Sequence, residues 1–371
     1  MKKKRYLLTE KLTYLSSPAI LLRNNARRGN MAQFLLLLPL GLCLWGLKWV
    51  KGIREDCLSR DSTDALRGVL ALGIILVHIA QYCPGGAMFA LAEKTGYLLV
   101  AGFFFLSGFS LQKQHMTQKN YCKGFLKKRL LGVLLPYLVV TALYWSFYHL
   151  LGHRYTLWDV LRMFAEGKPI VSFSWYIPAV LTFYLAFWGL MQLCKNSYPT
   201  MVLGGAVWFA VYCVVCLGLR FGQWWYISAF PAVLGMAWAV HQKALEEILK
   251  KRYFAVLLPV SAAFAGVIIL ENYLHLGALN AVLKALAATL FVAGAVLLLY
   301  KIRVGNPVLR VLGQMSMELY LMQGLAIMVP RSRWIYIENP LLYGLLILVL
   351  AVIFATVVHI ALKGIPKKTT H

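Results

Sequence analysis

The stretch Arg60-Asp-Ser-Thr-Asp64-Ala-Leu-Arg67-Gly runs straight into apolar residues that end at His78. If this segment is helical, Arg67 and His78 lie within roughly 20° of one face and about 16 Å apart along the axis. Asp64 stands one turn before Arg67, where the two can pair on that face. A neutral imidazole is a general base near pH 7 and can take the proton from an acceptor hydroxyl. A guanidinium is planar and permanently charged, and suits an anionic group such as phosphate. The plainer alternative is that His78 is a packed core residue. Against it, ionisable groups inside apolar spans are rare and usually face a bundle interior or a cavity.

Glu318, Lys284 and His359 also fall inside apolar runs. Lys284 lies about a turn into its run and His359 near the end of its own, so both suit an interface. Glu318 is expected to be paired. It is a candidate second acid–base group, or a member of a buried hydrogen-bond network. No G-x-S-x-G elbow and no S-x-x-K signature is present, which argues against a serine acyl-enzyme. The seven cysteines form no paired extracellular framework. Cys213 and Cys216 make a C-x-x-C pair inside an apolar run, where packing is favoured over redox chemistry or metal binding. No metal site is assigned.

These groups need elements that hold them in a membrane. The chain is 60% hydrophobic and 14% charged, against about 25% charged in soluble domains. Bilayer-spanning helices accommodate so much apolar surface, because every backbone polar group is satisfied within the helix. Apolar runs appear at about 31–50, 68–83, 95–111, 131–151, 174–194, 199–218, 224–240, 253–270, 279–300, 313–330 and 341–362. The expected fold is all-α and polytopic, with about ten core transmembrane helices after one N-terminal apolar segment. Residues 1–59 form a basic extension, 60–362 one membrane domain and 363–371 a basic tail.

The formal charge is +25. Its basic residues sit in short loops between apolar runs rather than on one face, which argues against nucleic-acid binding. With 51–67 inside, the inner loops and tail carry 21 Lys and Arg and the outer loops 7. That bias orients the chain with Arg67 at the cytoplasmic mouth. The run 31–50 does not fit the rule, because Lys2–Arg5 would lie outside if it spans. Leu7–Leu22 is a candidate interfacial helix on anionic lipid. No cleavable signal peptide is apparent. A multi-pass location in the cell membrane is expected, and the oligomeric state is open.

Five motifs in order resemble the acyltransferase-3 family of integral membrane acyltransferases, over about 60–330. They are Asp64-Ala-Leu-Arg67-Gly with His78, and Phe103-Phe-Phe-Leu-Ser107-Gly-Phe109. The third is Phe125-Leu-Lys127-Lys128-Arg129 with Pro136-Tyr137. The last two are Ser174-Trp175-Tyr176 with Tyr184, and Leu312-Gly313-Gln-Met-Ser316-Met-Glu-Leu-Tyr320-Leu321. The resemblance implies transfer of an acyl group, often acetyl, from cytoplasmic acyl-CoA to a hydroxyl of a surface glycan or its lipid-linked precursor. It implies that Arg67 and His78 are essential. Acyl-CoA is then a donor substrate and no bound cofactor is expected. Partners are membrane lipid, the donor and a carbohydrate acceptor.

Within that frame, the coenzyme A phosphates are matched to Arg67 and to Lys127, Lys128 and Arg129, although a basic loop is also an ordinary topology signal. Developing charge on the thioester oxygen needs donors, for which backbone N–H groups or Ser107 are candidates. Ser107 equally suits close helix packing. Trp175, Tyr176 and Glu318 are candidate acceptor contacts. The other outer aromatics fit an interfacial belt.

The chain departs from the family pattern at three places. Gly132 stands where a second Arg is common, Gln323 where a His is common, and Ala101 or Gly102 where an acidic residue is common. Gly132 and Gln323 motivate one rival function, an inactive membrane partner in glycan assembly, and His78 and Glu318 suit another, as the path of a transporter or flippase.

Overall fold

The computed structural model describes residues 33–83, 86–194, 197–273 and 278–364. The Lys2–Arg5 cluster, the Leu7–Leu22 stretch and most of the basic tail lie outside the described residues. Among those described, the protein is all-α, with twelve helices and a single pair of two-residue strands. In chain order the helices are α1 Leu37–Leu44, α2 Arg60–Tyr82, α3 Ala87–Thr117, α4 Phe125–Leu150, α5 Leu157–Ala165 and α6 Tyr176–Cys194. They continue as α7 Tyr198–Gly218, α8 Pro231–Tyr273, α9 Ala278–Leu299, α10 Pro307–Gln314, α11 Ser316–Met328 and α12 Pro340–Lys363.

Eight of these helices are long and apolar enough to cross a membrane. One of the eight, α8, is two spans. A straight helix of 43 residues would extend about 65 Å, twice the hydrocarbon core. Instead Arg252 leaves helical geometry, with φ −139° and ψ 42°. The two arms then return to one place. Ser228, just before α8, donates to the Tyr97 carbonyl, and Glu271, near its end, accepts from the Tyr97 hydroxyl. The expected loop at 241–252 is therefore helical down to a single reversing residue. Residues 241–251 contain no Gly or Pro to interrupt a helix.

Two apolar runs are not full helical spans: 313–330, against expectation, and 31–50, whose path the sequence left open. The run 313–330 becomes a helix of 13 residues, Ser316–Met328, about 20 Å long and shorter than the hydrocarbon core. It is separated from α10 at Met315. Asn306 caps α10 by accepting from the Leu309 N–H, and Pro307 fills its first turn. Residues 33–50 of the run 31–50 do not form one spanning helix either. They comprise a 3-10 turn at Gln33–Leu36, the eight residues of α1, and strand β1 Lys48–Trp49. Strand β1 pairs antiparallel with β2 Ile302–Arg303. The Asn306 amide donates to the Leu42 and Trp45 carbonyls and fixes the end of that segment.

Small residues set the helix crossings, as expected where lipid supplies no hydrophobic drive between helices. Gly68 of α2 lies against the Leu309 carbonyl and Gly313 of α10 against the Asp64 carbonyl. Gly108 of α3 meets the backbone of Ala232, and Gly235 meets that of Phe105. Helix α2 is the most enclosed of the spans, with 72% of its apolar window buried. It forms the centre around which the site is built.

Candidate active site

Helix α2 starts cleanly because Ser59 accepts from the Ser62 N–H. The buried Asp64 carboxylate then receives Arg67 at 2.8 Å, with Arg60 at 4.0 Å on its other oxygen. The pairing expected from spacing is present. It turns Arg67 along the helix face while leaving other guanidinium N–H groups for a ligand. The Gly68–Gly313 contact locks this end of α2 against α10.

Three turns on, His78 faces a cavity of about 610 Å³. Its Nδ1 lies 3.2 Å from the Gln81 amide oxygen. With that oxygen accepting, Nδ1 carries the proton and Nε2 keeps its lone pair, the form a general base requires. The Phe173 ring stacks on the imidazole, with centroids 3.8 Å apart and planes 25° apart. Phe173 has φ 65°, in the left-handed region. Its carbonyl accepts from the Tyr320 hydroxyl, and that hydroxyl in turn receives the Tyr176 N–H at 3.3 Å. Helices α6 and α11 thus hold the ring that orients His78.

The cavity draws on several elements. Besides His78 and Gln81 it is lined by Tyr97, Trp175, Trp224 and Tyr320. Charged side chains in the lining are Glu93, Lys94, Lys168 and Lys284. Of the candidate acceptor contacts, only Trp175 lies in this lining. Tyr176 is buried, packed edge-on to Phe104 at 4.9 Å and to Tyr320 at 5.8 Å. Its phenol has Ser107 as a side-chain hydrogen-bonding neighbour and Arg67 within electrostatic range. Ser107 therefore sits towards the Arg67 end, beside the Gly108–Ala232 crossing. Glu318 is held by His359 at 2.8 Å. Its expected pairing is present, and its partner comes from α12. Lys284 faces the cavity from α9 instead of sitting only at an interface.

Arg67 does not line the cavity. Contacts run from His78 through Phe173 and Tyr320 to Tyr176, whose phenol lies within electrostatic range of Arg67. The basic loop divides in two. Lys127 and Lys128 are exposed. Arg129 donates to the Gln114 carboxamide at 2.9 Å and the Tyr121 hydroxyl at 2.7 Å. That tie makes Arg129 part of the α3–α4 junction. Buried polar atoms without a partner cluster at the same end of α3 and α4, at Gln112, His115 and Arg129 Nε.

Sequence reasoning did not identify Gln81, Phe173 or Tyr320 as parts of the site. Gln81 had a signal, since it stands one turn from His78 on the same helix. Tyr320 belonged to a recognised motif without an assigned task. Phe173 had no local signal, because its contact with His78 depends on a left-handed backbone far along the chain.

A bundle of apolar helices long enough to cross a bilayer, enclosing a cavity with the His78 imidazole in its wall, defines a polytopic membrane protein. The family model described as Acyl_transf_3, an acyltransferase domain, matches residues 60–360. The chain belongs to this family of membrane acyltransferases. Compared with curated proteins and with solved structures, it has no match.

Proposed function

We propose that this acyltransferase moves an acyl group, acetyl, from acyl-CoA to a hydroxyl of a surface glycan or its lipid-linked precursor, at the cell membrane. The observation that carries the reading is His78, its Nδ1 committed to Gln81 and its ring held by Phe173 in a cavity walled by Trp175 and Trp224. Indole faces suit the apolar faces of sugar rings, and Gln81 and Tyr320 offer polar edges for hydroxyls.

In the proposed reaction, Nε2 of His78 takes the acceptor hydroxyl proton as the oxygen attacks the thioester carbonyl. The carbon–sulfur bond then breaks, and the imidazolium returns the proton to the leaving thiolate. Such positioned proton transfer supplies about 10²–10⁴-fold. Arg67, about 16 Å away on the same helix face, holds the donor phosphates with Lys127 and Lys128. The flexible arm of coenzyme A covers the interval and passes the Tyr176–Tyr320 pair. Ser107 beside that pair is a donor for the thioester oxygen as it gains charge.

The test is mass spectrometry of cell-surface glycans from cells carrying the wild type, His78→Ala or Arg67→Ala. Loss of one acyl unit in both variants, with normal membrane insertion, is expected. Unchanged glycan acylation would sink the proposal and leave a scaffold role. Loss of substrate movement across the bilayer, with acylation intact, would point to a transporter.

A further inference from the structure

The cavity holding His78 has an uneven charge. Lys94 of α3, Lys168 of the segment before α6 and Lys284 of α9 all line it, with Glu93 as the one carboxylate in the lining. Among the described residues, none of the three lysines has a side-chain hydrogen bond or ion pair. The Glu271 carboxylate, which accepts from the Tyr97 hydroxyl at 3.1 Å, is not in the lining. Lys94 and Lys168 are exposed, so their charge costs little. Lys284 is different. It is half-buried, about a turn inside an apolar helix with mean hydropathy 2.3. A lysine in such a place is costly unless a cavity or a partner solvates it, and such residues mark ligand sites.

The three lysines come from separate elements and converge on one space. A topology signal needs basic residues near span ends but no convergence. We infer that the acceptor of the acyl group carries an anionic group, a phosphate or a carboxylate, which Lys94, Lys168 and Lys284 hold while a neighbouring hydroxyl reaches His78. Ammonium groups bind such anions through charge-assisted hydrogen bonds, strongest where water is excluded. Trp175 and Trp224 would stack on the sugar beside the anion. The inference rests on the acyl-transfer reading for the word acceptor, but the anion site stands on the lysines alone.

The experiment titrates the full chain, in nanodiscs of uncharged phosphatidylcholine, with inorganic pyrophosphate and with glucuronate, using glucose as the neutral control. Tryptophan fluorescence reports binding, because Trp175 and Trp224 are in the cavity wall. Saturable binding of at least one anion and none of glucose is expected. Pyrophosphate alone would assign a phosphate-bearing acceptor, such as a lipid-linked sugar, and glucuronate alone an acidic sugar. The triple variant K94M/K168M/K284M should weaken binding by about tenfold or more. Lys284→Arg should keep it. The double variant K94M/K168M changes exposed positions only, so partial weakening there separates charge loss from misfolding.

Failure of the wild type to bind either anion, equal binding by the triple variant, or equal binding of glucose would each overturn the inference. His78→Ala should retain anion binding while losing acyl transfer. Lost anion binding and a failed acyl-transfer reading are therefore distinguished by separate measurements.

Discussion

The imidazole of His78 lies face to face with the ring of Phe173, centroids 3.8 Å apart. The contact joins α2 to the turn that begins α6, and it exists because Phe173 adopts φ 65°. A bulky residue with positive φ is uncommon, and such backbone conformations concentrate at functional sites. The Tyr320 hydroxyl holds this conformation in place through the Phe173 carbonyl.

Phe173→Ala removes the stacked ring and leaves His78 with Gln81 as its partner. Misplacing a catalytic group by about 1 Å costs on the order of 100-fold. On the proposed mechanism, with His78 as base and acyl-CoA as donor, kcat falls by about that factor and the KM for the donor is little changed. Steady-state kinetics on the purified variant check it. An unchanged kcat would deny Phe173 any part in orienting the base.

Gly68→Ala should destabilise the fold, because a methyl there collides with the Leu309 carbonyl. Overpacking of this kind costs about 1–3 kcal/mol. Gly132→Ala is the control, since a Cβ at that helical position meets nothing within 4 Å. Thermal melting in detergent should show a lower midpoint for the first variant, and an equal or higher one for the second.

Glu318 and His359 are 2.8 Å apart with side-chain exposures of 9% and 20%. A double-mutant cycle with Glu318→Gln and His359→Gln should give a coupling of about 0.5–3 kcal/mol. If Glu318 contacts the acceptor instead, Glu318→Gln will raise the acceptor KM and His359→Gln will leave it alone.

Cys57 is fully buried in the turn before α2, beside Tyr300, and desolvation pushes its thiol up to about 12. It should resist alkylation by maleimide at pH 8, whereas the unfolded protein reacts readily at that site. The sign of the linkage follows. The folded state keeps a proton that the unfolded state loses above its ordinary value of 9.0. Stability therefore falls as pH rises from about 9 towards 12. Cys57→Ser should flatten that decline in melting midpoint.

Much of the site's first helix was legible because its information is local. The Asp64–Arg67 pair and the shared face of Arg67 and His78 depend only on helical spacing. The all-α membrane class followed from composition, since no soluble core hides so much apolar surface. What was not legible depends on contacts between distant segments. Arg129 looks like a free basic-loop residue until Gln114 and Tyr121 are placed beside it. Lys284 looks interfacial until α9 is packed on α3 and α8 beside the cavity. The short α11 was concealed because the apolar run continues through Met315, where the backbone changes and the composition does not. The reversal at Arg252 was concealed for the opposite reason, since a polar stretch that resembles a loop stays helical.

That reversal also bears on how the cavity opens. One arm of α8 lies along α3, which carries Lys94, and the other along α9, which carries Lys284. A single non-helical residue joins the arms, and Tyr97 clasps them again at their far ends. The unit behaves as a yoke. Any spreading of the two lysine-bearing walls would have to break the Tyr97–Glu271 hydrogen bond, which makes that bond the latch of the unit.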